Sequence, residues 1–277
     1  MGHIMLSFDI ETTGLDPFDG YVTVVCTHDA NGTSTAYHLC KPVPNTPNEH
    51  AEHCSCTKEQ VSQGPGQHRC RPCQDWHGSN LDALFDALDN APVLCGYNAI
   101  KFDIPYLQAH FAIPSDRVGA WVAKCVDVFF FVSEVLETMC SLNRMCMLNS
   151  MANGKSSSGK EAVCMAHEGR WDELKRYCIQ DAVITRELTS MQRIRAPAFG
   201  NSGGIVCIEW GEDASWSVVS ENGNDKKHNE RVVMKTVITK GMKKAAKKRS
   251  RFGTGDGSPI ESLHEGVLSE GVKGLFD

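Results

Sequence analysis

Ile4-Met5-Leu6-Ser7-Phe8-Asp9-Ile10-Glu11-Thr12-Thr13-Gly14-Leu15 is the stretch from which the rest of the chain is read. Its apolar start has the length of a buried strand. Side chains two apart in a strand share a face, so Asp9 and Glu11 project together from the strand's end. Two carboxylates side by side raise one another's pKa unless something positive sits between them. Hard divalent cations such as Mg²⁺ take carboxylate oxygens, which makes the pair a candidate cation site. The plainer alternative is a strand end followed by a polar turn at Gly14.

Two later stretches add to the pair. One is Cys95-Gly96-Tyr97-Asn98-Ala99-Ile100-Lys101-Phe102-Asp103-Ile104, and the other is Tyr177-Cys178-Ile179-Gln180-Asp181. In this order and spacing the three stretches resemble the motifs of the DEDD superfamily of 3′–5′ exonucleases. The subclass resembled is the one whose third motif is Tyr-x-x-x-Asp. The likeness is to the proofreading exonuclease domain of family B DNA polymerases and its stand-alone relatives, over about residues 4–193. A single motif of this kind is weak, and three in register are specific.

The resemblance implies an α/β, ribonuclease H-like mixed sheet flanked by helices. It also implies hydrolysis of phosphodiester bonds from single-stranded DNA 3′ ends with two Mg²⁺ or Mn²⁺ ions. Asp9 would bridge both ions, Glu11 and Asp181 would hold the one that acidifies the water, and Asp103 would serve the other. Tyr177 would orient the attacking water, because a phenol titrating near ~10 is a poor base at neutral pH. Thr12 and Leu15 would meet the terminal nucleotide, and Asn98 and Phe102 would support the substrate. Single strands are held by stacking and backbone charge, so sequence preference should be small. An RNA 3′–5′ exonuclease and a non-catalytic nucleic-acid-binding module of a replication complex are the competing readings.

The residues between the motifs set the organisation. Strands are expected over His3–Ile10, Tyr21–His28 and Thr35–Cys40, the last two joined by a hairpin at Asn31-Gly32. Leucines at 81, 84 and 88 with Phe85 predict a helix over Asn80–Asp89. A short buried strand follows at Pro92–Gly96, then a helix from Ile104 to Phe111, with Pro105 in its first turn. The apolar run Trp121–Val128 reads as a strand, and Phe129–Glu137 and Leu142–Asn149 read as helices. Residues 153–160 read as a break, and Trp171–Arg193 as a long helix. Tyr177 and Asp181 stand four apart on it, hence on one face.

Residues 41–78 break the pattern. His50, His53, Cys54, Cys56, His68, Cys70, Cys73 and His77 fall there with almost no aliphatic content. Cys54-x-Cys56 and Cys70-x-x-Cys73 are spaced as two halves of a structural Zn²⁺ site, with the four histidines as alternate ligands. A loop with reduced cysteines is the alternative. The 13 cysteines scattered among apparent strands and helices suggest an intracellular, reducing compartment, cytoplasm or nucleus. No apolar run long enough for a membrane span occurs.

The sequence divides into 1–195 as the exonuclease-like domain, with 41–78 inserted, 196–251 as a small basic β-rich extension, and 252–277 as a flexible tail. Strands are expected there at Ile205–Trp210, Ser215–Ser220 and Arg231–Lys240. The net charge of −6 hides an asymmetry: residues 226–251 hold 11 of the 28 Lys and Arg and a single acid, Glu230. A basic segment on an acidic body suggests nucleic-acid contact, with a solvated basic tail as the alternative. The terminal Gly274-Leu275-Phe276-Asp277 is loosely similar to clamp-binding peptides, which would make a replication protein a partner.

Overall fold

A computed structural model of the chain describes residues 5–17, 20–39, 71–151, 159–198, 204–210, 215–220 and 230–233. Strands β1 (Met5–Thr12), β2 (Val22–His28) and β3 (Ser34–His38) form an antiparallel meander. After helix α1 (Arg71–Asn90), β4 (Val93–Gly96) and β5 (Cys125–Asp127) add parallel to the other side of β1. The result is a mixed five-stranded sheet in the order β3-β2-β1-β4-β5. Helices α2 (Asp103–Phe111) and α3 (Ser115–Ala123) lie between β4 and β5 in the chain. Helices α4 (Val128–Val135), α5 (Leu142–Leu148), α6 (Gly159–Glu168) and α7 (Trp171–Ser190) follow. This is the mixed sheet flanked by helices that the motif resemblance implies.

The core explains the order. Phe8, Ile10, Val25, Leu94, Leu107 and Phe131 are buried together. Each such side chain contributes roughly 1.5–3 kcal/mol on leaving water. A second apolar cluster lies where α6 and α7 cover β2: Val24, Cys26, Ala162, Met165, Leu174, Tyr177 and Cys178. A further sheet, β6 (Arg193–Pro197), β7 (Ile205–Trp210), β8 (Ser215–Ser220) and β9 (Glu230–Val233), is antiparallel throughout. Its Ile194, Val206, Ile208 and Val218 join the main core. The Asn149 side chain binds both the N–H and the C=O of Arg195, fixing α5 to β6. Among the described residues no helix is long and apolar enough to cross a membrane.

Several boundaries differ from expectation. β1 runs on through Thr12, so Asp9 and Glu11 lie within the strand. The ladder with β2 shifts register between Glu11 and Thr12, as at a bulge. The expected strand Trp121–Val128 is divided. Trp121–Ala123 ends α3, whose Trp121 Nε1 donates to Asp89 on α1, and only Cys125–Asp127 is strand. Tertiary contact overrides the β preference of that apolar run. The helix expected over Trp171–Arg193 stops at Ser190, and Arg193 begins β6. Helix α6 was not expected, because its buried face is only Ala162, Met165 and Ala166 behind a Ser/Gly-rich run. Helix α1 begins at Arg71, nine residues before the apolar periodicity. Cys73 and His77 therefore lie on its backbone, while His50, His53, Cys54, Cys56, His68 and Cys70 lie outside the described residues. The basic run beyond Val233 and the terminal tail are outside them too.

Candidate functional site

β4 is short and its pairing with β1 ends at Ser7↔Cys95. Past that point the edge of β1 that faces β4 has no strand beside it. A backbone N–H left there needs an acceptor. Ile10 N–H finds one in the Asp103 carboxylate, with Oδ1 at 3.2 Å. Asp103 is the first residue of α2 and is 4 % exposed. The chain thus brings the second motif's acid against the backbone between the first motif's two acids.

The turn that delivers Asp103 is tightly specified. A Cβ at Gly96 would run into the side chain of Ala99, so the close approach requires glycine. Asn98 has φ +70, a left-handed conformation that Asn tolerates better than most residues. The N–H groups of Lys101 and Phe102 both donate to the Asn98 carbonyl, and Ile104 N–H donates to Ala99 O. Phe102 is half-buried, with its ring centroid 5.4 Å from that of Tyr106.

Helix α7 crosses the sheet beside β1 and supplies the third motif. Asp181 is 3 % exposed, and its charge reaches Asp103. Tyr177, one turn earlier, is 4 % exposed and packs in the cluster over β2. Cys178 lies on the same helix, and its thiol donates to the Asp9 carbonyl at 3.3 Å. A carboxylate oxygen of Asp9, one of Glu11 and the Cys178 sulfur lie within 4.8 Å of one another.

The electrostatics follow from this crowding. Burial, then the charges of Asp127 and Asp181, pushes Asp103 up to about 7, against the pull of its backbone hydrogen bonds. Burial also pushes the Cys178 thiol well above its ordinary range, and Cys26, Asp9 and Glu11 add to it. Repulsion among buried acids is what a divalent cation relieves. The donor set of Asp9, Glu11, Asp103 and Asp181 is hard oxygen and fits Mg²⁺ or Mn²⁺. Cys178 is a soft atom at its edge, with Cys26 beside it.

The four predicted acids are therefore brought together, with Tyr177 one helical turn from Asp181. Leu15 stands 84 % exposed in the loop beyond β1. Thr12 is 7 % exposed; its hydroxyl donates to Gly14 O at 2.7 Å and also meets the Tyr106 hydroxyl on α2. Two residues of the site escape sequence reading. Cys178 reads as packing because helical periodicity places it on the apolar face. Asp127 carries a faint signal only, an acid between a short strand and an apolar helix, where an N-cap belongs.

A family model described as RNase H superfamily matches residues 6–191. No curated protein sequence matches the chain. Among solved structures it is similar to the family B DNA polymerase of the hyperthermophilic archaeon Pyrobaculum calidifontis, at 18% identity and TM-score 0.42, over 65% of this chain and 23% of that one. It is similar to exonuclease I of Methylocaldum szegediense at 11% identity and TM-score 0.33, over 78% of this chain and 54% of that one. It is also similar to E. coli exonuclease I, solved in complex with a dA16 oligonucleotide, at 14% identity and TM-score 0.34, over 78% and 54% respectively. The chain spans about half of each exonuclease I chain and about a quarter of the polymerase.

Proposed function

The chain belongs to the RNase H superfamily, and from that premise we propose that it is a metal-dependent 3′–5′ exonuclease of the Tyr-containing DEDD subclass, acting on single-stranded DNA ends. The observation that carries this reading is the seating of Asp103 against the β1 backbone between Asp9 and Glu11, with Asp181 close enough to repel it. Four acids gathered from β1, α2 and α7, three of them buried and Asp9 partly exposed, make a poor structural device, since like charges crowd one another.

Asp9, Glu11, Asp103 and Asp181 would hold a pair of divalent cations, Mg²⁺ or Mn²⁺. Such a pair supplies charge relief at the scissile phosphate and an acidified water. The residues of this chain do the rest. β1 and α7 fix the spacing of the acids before substrate arrives, so little reorganisation is left for the reaction. The Tyr177 hydroxyl orients the attacking water from a ring locked by packing. Leu15, apolar and exposed in the loop that follows the first two acids, meets the terminal base.

We read residues 1–195 as the nuclease domain and 196–251 as an extension whose positive charge tracks the backbone of the bound strand. Affinity carried by that charge falls steeply with salt. Cys54, Cys56, Cys70 and Cys73 are read as ligands of a structural Zn²⁺. The chemistry works in a reducing, intracellular setting, where those thiols stay available.

The test uses a single-stranded oligonucleotide labelled at the 5′ end or the 3′ end. With Mg²⁺ or Mn²⁺, the 3′ label should be released first as a mononucleotide, and the 5′-labelled strand should shorten stepwise. Asp9→Ala should lower the rate by on the order of 10³-fold, the equivalent of losing about 4 kcal/mol of charge stabilisation. Release of the 5′ label first, or equal turnover by Asp9→Ala, would sink the reading. An RNA strand of the same sequence in parallel decides between DNA and RNA.

A further inference from the structure

Asp127 stands outside the three motifs, yet it is 0 % exposed and closes β5. Its carboxylate accepts three backbone N–H groups. Oδ1 takes Asn98 N–H at 2.9 Å and Phe130 N–H at 2.9 Å, and Oδ2 takes Ile100 N–H at 3.0 Å. Only the Phe130 bond is the ordinary N-cap of α4. The other two cross to the turn after β4, a separation of 29 and 27 residues.

That turn has no regular ladder of its own. β4 and β5 are last paired at Gly96↔Asp127. Beyond Gly96 the chain doubles back through Asn98 at positive φ, and its N–H groups would be buried without acceptors if Asp127 did not take them. Asp103 follows three residues after Ile100, through the hydrogen bonds from Lys101 and Phe102 to Asn98 O. The carboxylate therefore fixes both sides of the turn from which Asp103 emerges.

We infer that Asp127 is a positioning residue for the cation site: it holds the turn at Asn98–Ile100 so that the Asp103 carboxylate points at Asp9 and Asp181. This rests on the reading of Asp103 as a cation ligand. An α4 cap alone would call for one of the three hydrogen bonds. One carboxyl group shared by two backbone N–H groups of the turn is what rigid placement of the next side chain requires.

Two substitutions separate the roles. Asp127→Ser keeps a good N-cap for α4 but is too short to serve the turn. Asp127→Asn keeps the shape and sets an amide N–H₂ against one or more of the same N–H groups. The first readout is binding of Mn²⁺ alone, by calorimetry or by loss of the free-ion paramagnetic resonance signal, with circular dichroism as the check on folding. Both variants should stay folded and bind Mn²⁺ about 10–100-fold more weakly. The second readout is hydrolysis: the Mn²⁺ concentration for half-maximal rate should rise by a similar factor.

Folded variants with wild-type Mn²⁺ affinity would overturn the inference. Loss of fold in both would equally overturn it, because Asp127 would then be a requirement of the fold rather than of the site. Asp103→Ala is measured beside them. If it too binds Mn²⁺ as the wild type does, the assignment of Asp103 as a ligand has failed along with the inference. If it binds weakly while Asp127→Asn binds normally, only the role of Asp127 has failed.

Discussion

The backbone N–H of Ile10 donates to Oδ1 of Asp103 across 3.2 Å, joining residues 93 apart in the chain. The bond falls between Asp9 and Glu11, where β4 has ceased to pair with β1. Sheet and site are thus built from the same unfilled edge.

This placement makes the stability of the cation-free protein depend on pH through Asp103. Its folded pKa is about 7, raised from 3.8. The folded state then binds the extra proton between those values, so the contribution of Asp103 is fully present below the lower value and is lost as pH rises through the upper one. Asp103→Asn mimics the protonated form at every pH. Urea denaturation without divalent ions should find the variant and wild type alike near about pH 4, with the variant gaining as pH climbs toward roughly 8. A difference that stays flat across that range would contradict the assigned shift.

Tyr177→Phe should keep the ring's packing against Val24, Met165 and Leu174 and leave the denaturation midpoint close to wild type. Misplacement of an attacking group is worth about 100-fold in rate. The kcat on a single-stranded oligonucleotide should fall by about that factor with KM little changed. Wild-type kcat would mean that the water is held by something other than this hydroxyl.

Gly96→Ala should destabilise the chain, because the new methyl group falls on the Ala99 side chain inside a packed core. Overpacking of this kind costs typically 1–3 kcal/mol, roughly. Pairing it with Ala99→Gly removes the collision and should recover part of the loss. A double variant no more stable than Gly96→Ala would show that the turn does not need this close approach.

The cysteine-rich segment predicts at least one zinc per chain retained after exhaustive dialysis against Mg²⁺. Cys70→Ser with Cys73→Ser should release it and open residues 48–78 to protease, since binding free energy at such sites is folding free energy. Elemental analysis finding no zinc in protein produced with zinc supplied would reject the site.

Local periodicity carried a good part of this architecture into the sequence. Alternation places Asp9 and Glu11 on one face of β1, and four-residue spacing places Tyr177 and Asp181 on one face of α7. Both are short-range properties of the backbone. Cys178 and Asp127 were not legible in that way. The first meets Asp9 across 169 residues of sequence, and the second meets Asn98 and Ile100 across 29 and 27. No local pattern encodes such partners. The same blindness hid the break after Ala123, where one stretch serves the end of a helix and then a strand, and Trp121 finds its partner in Asp89, 32 residues away.

Helix α7 packs along β1, β2, β3 and β4, and that breadth determines how the protein can fail. A helix touching a single loop can fray on its own, exchanging its amides while the rest stays shut. One laid across four strands opens only when those strands open, so its amides should exchange near the rate of global unfolding. Asp181 rides on that helix. Mild heat or denaturant should therefore leave no folded population with a damaged acid cluster. Nuclease competence and native sheet should vanish together, in one step, and return together on refolding.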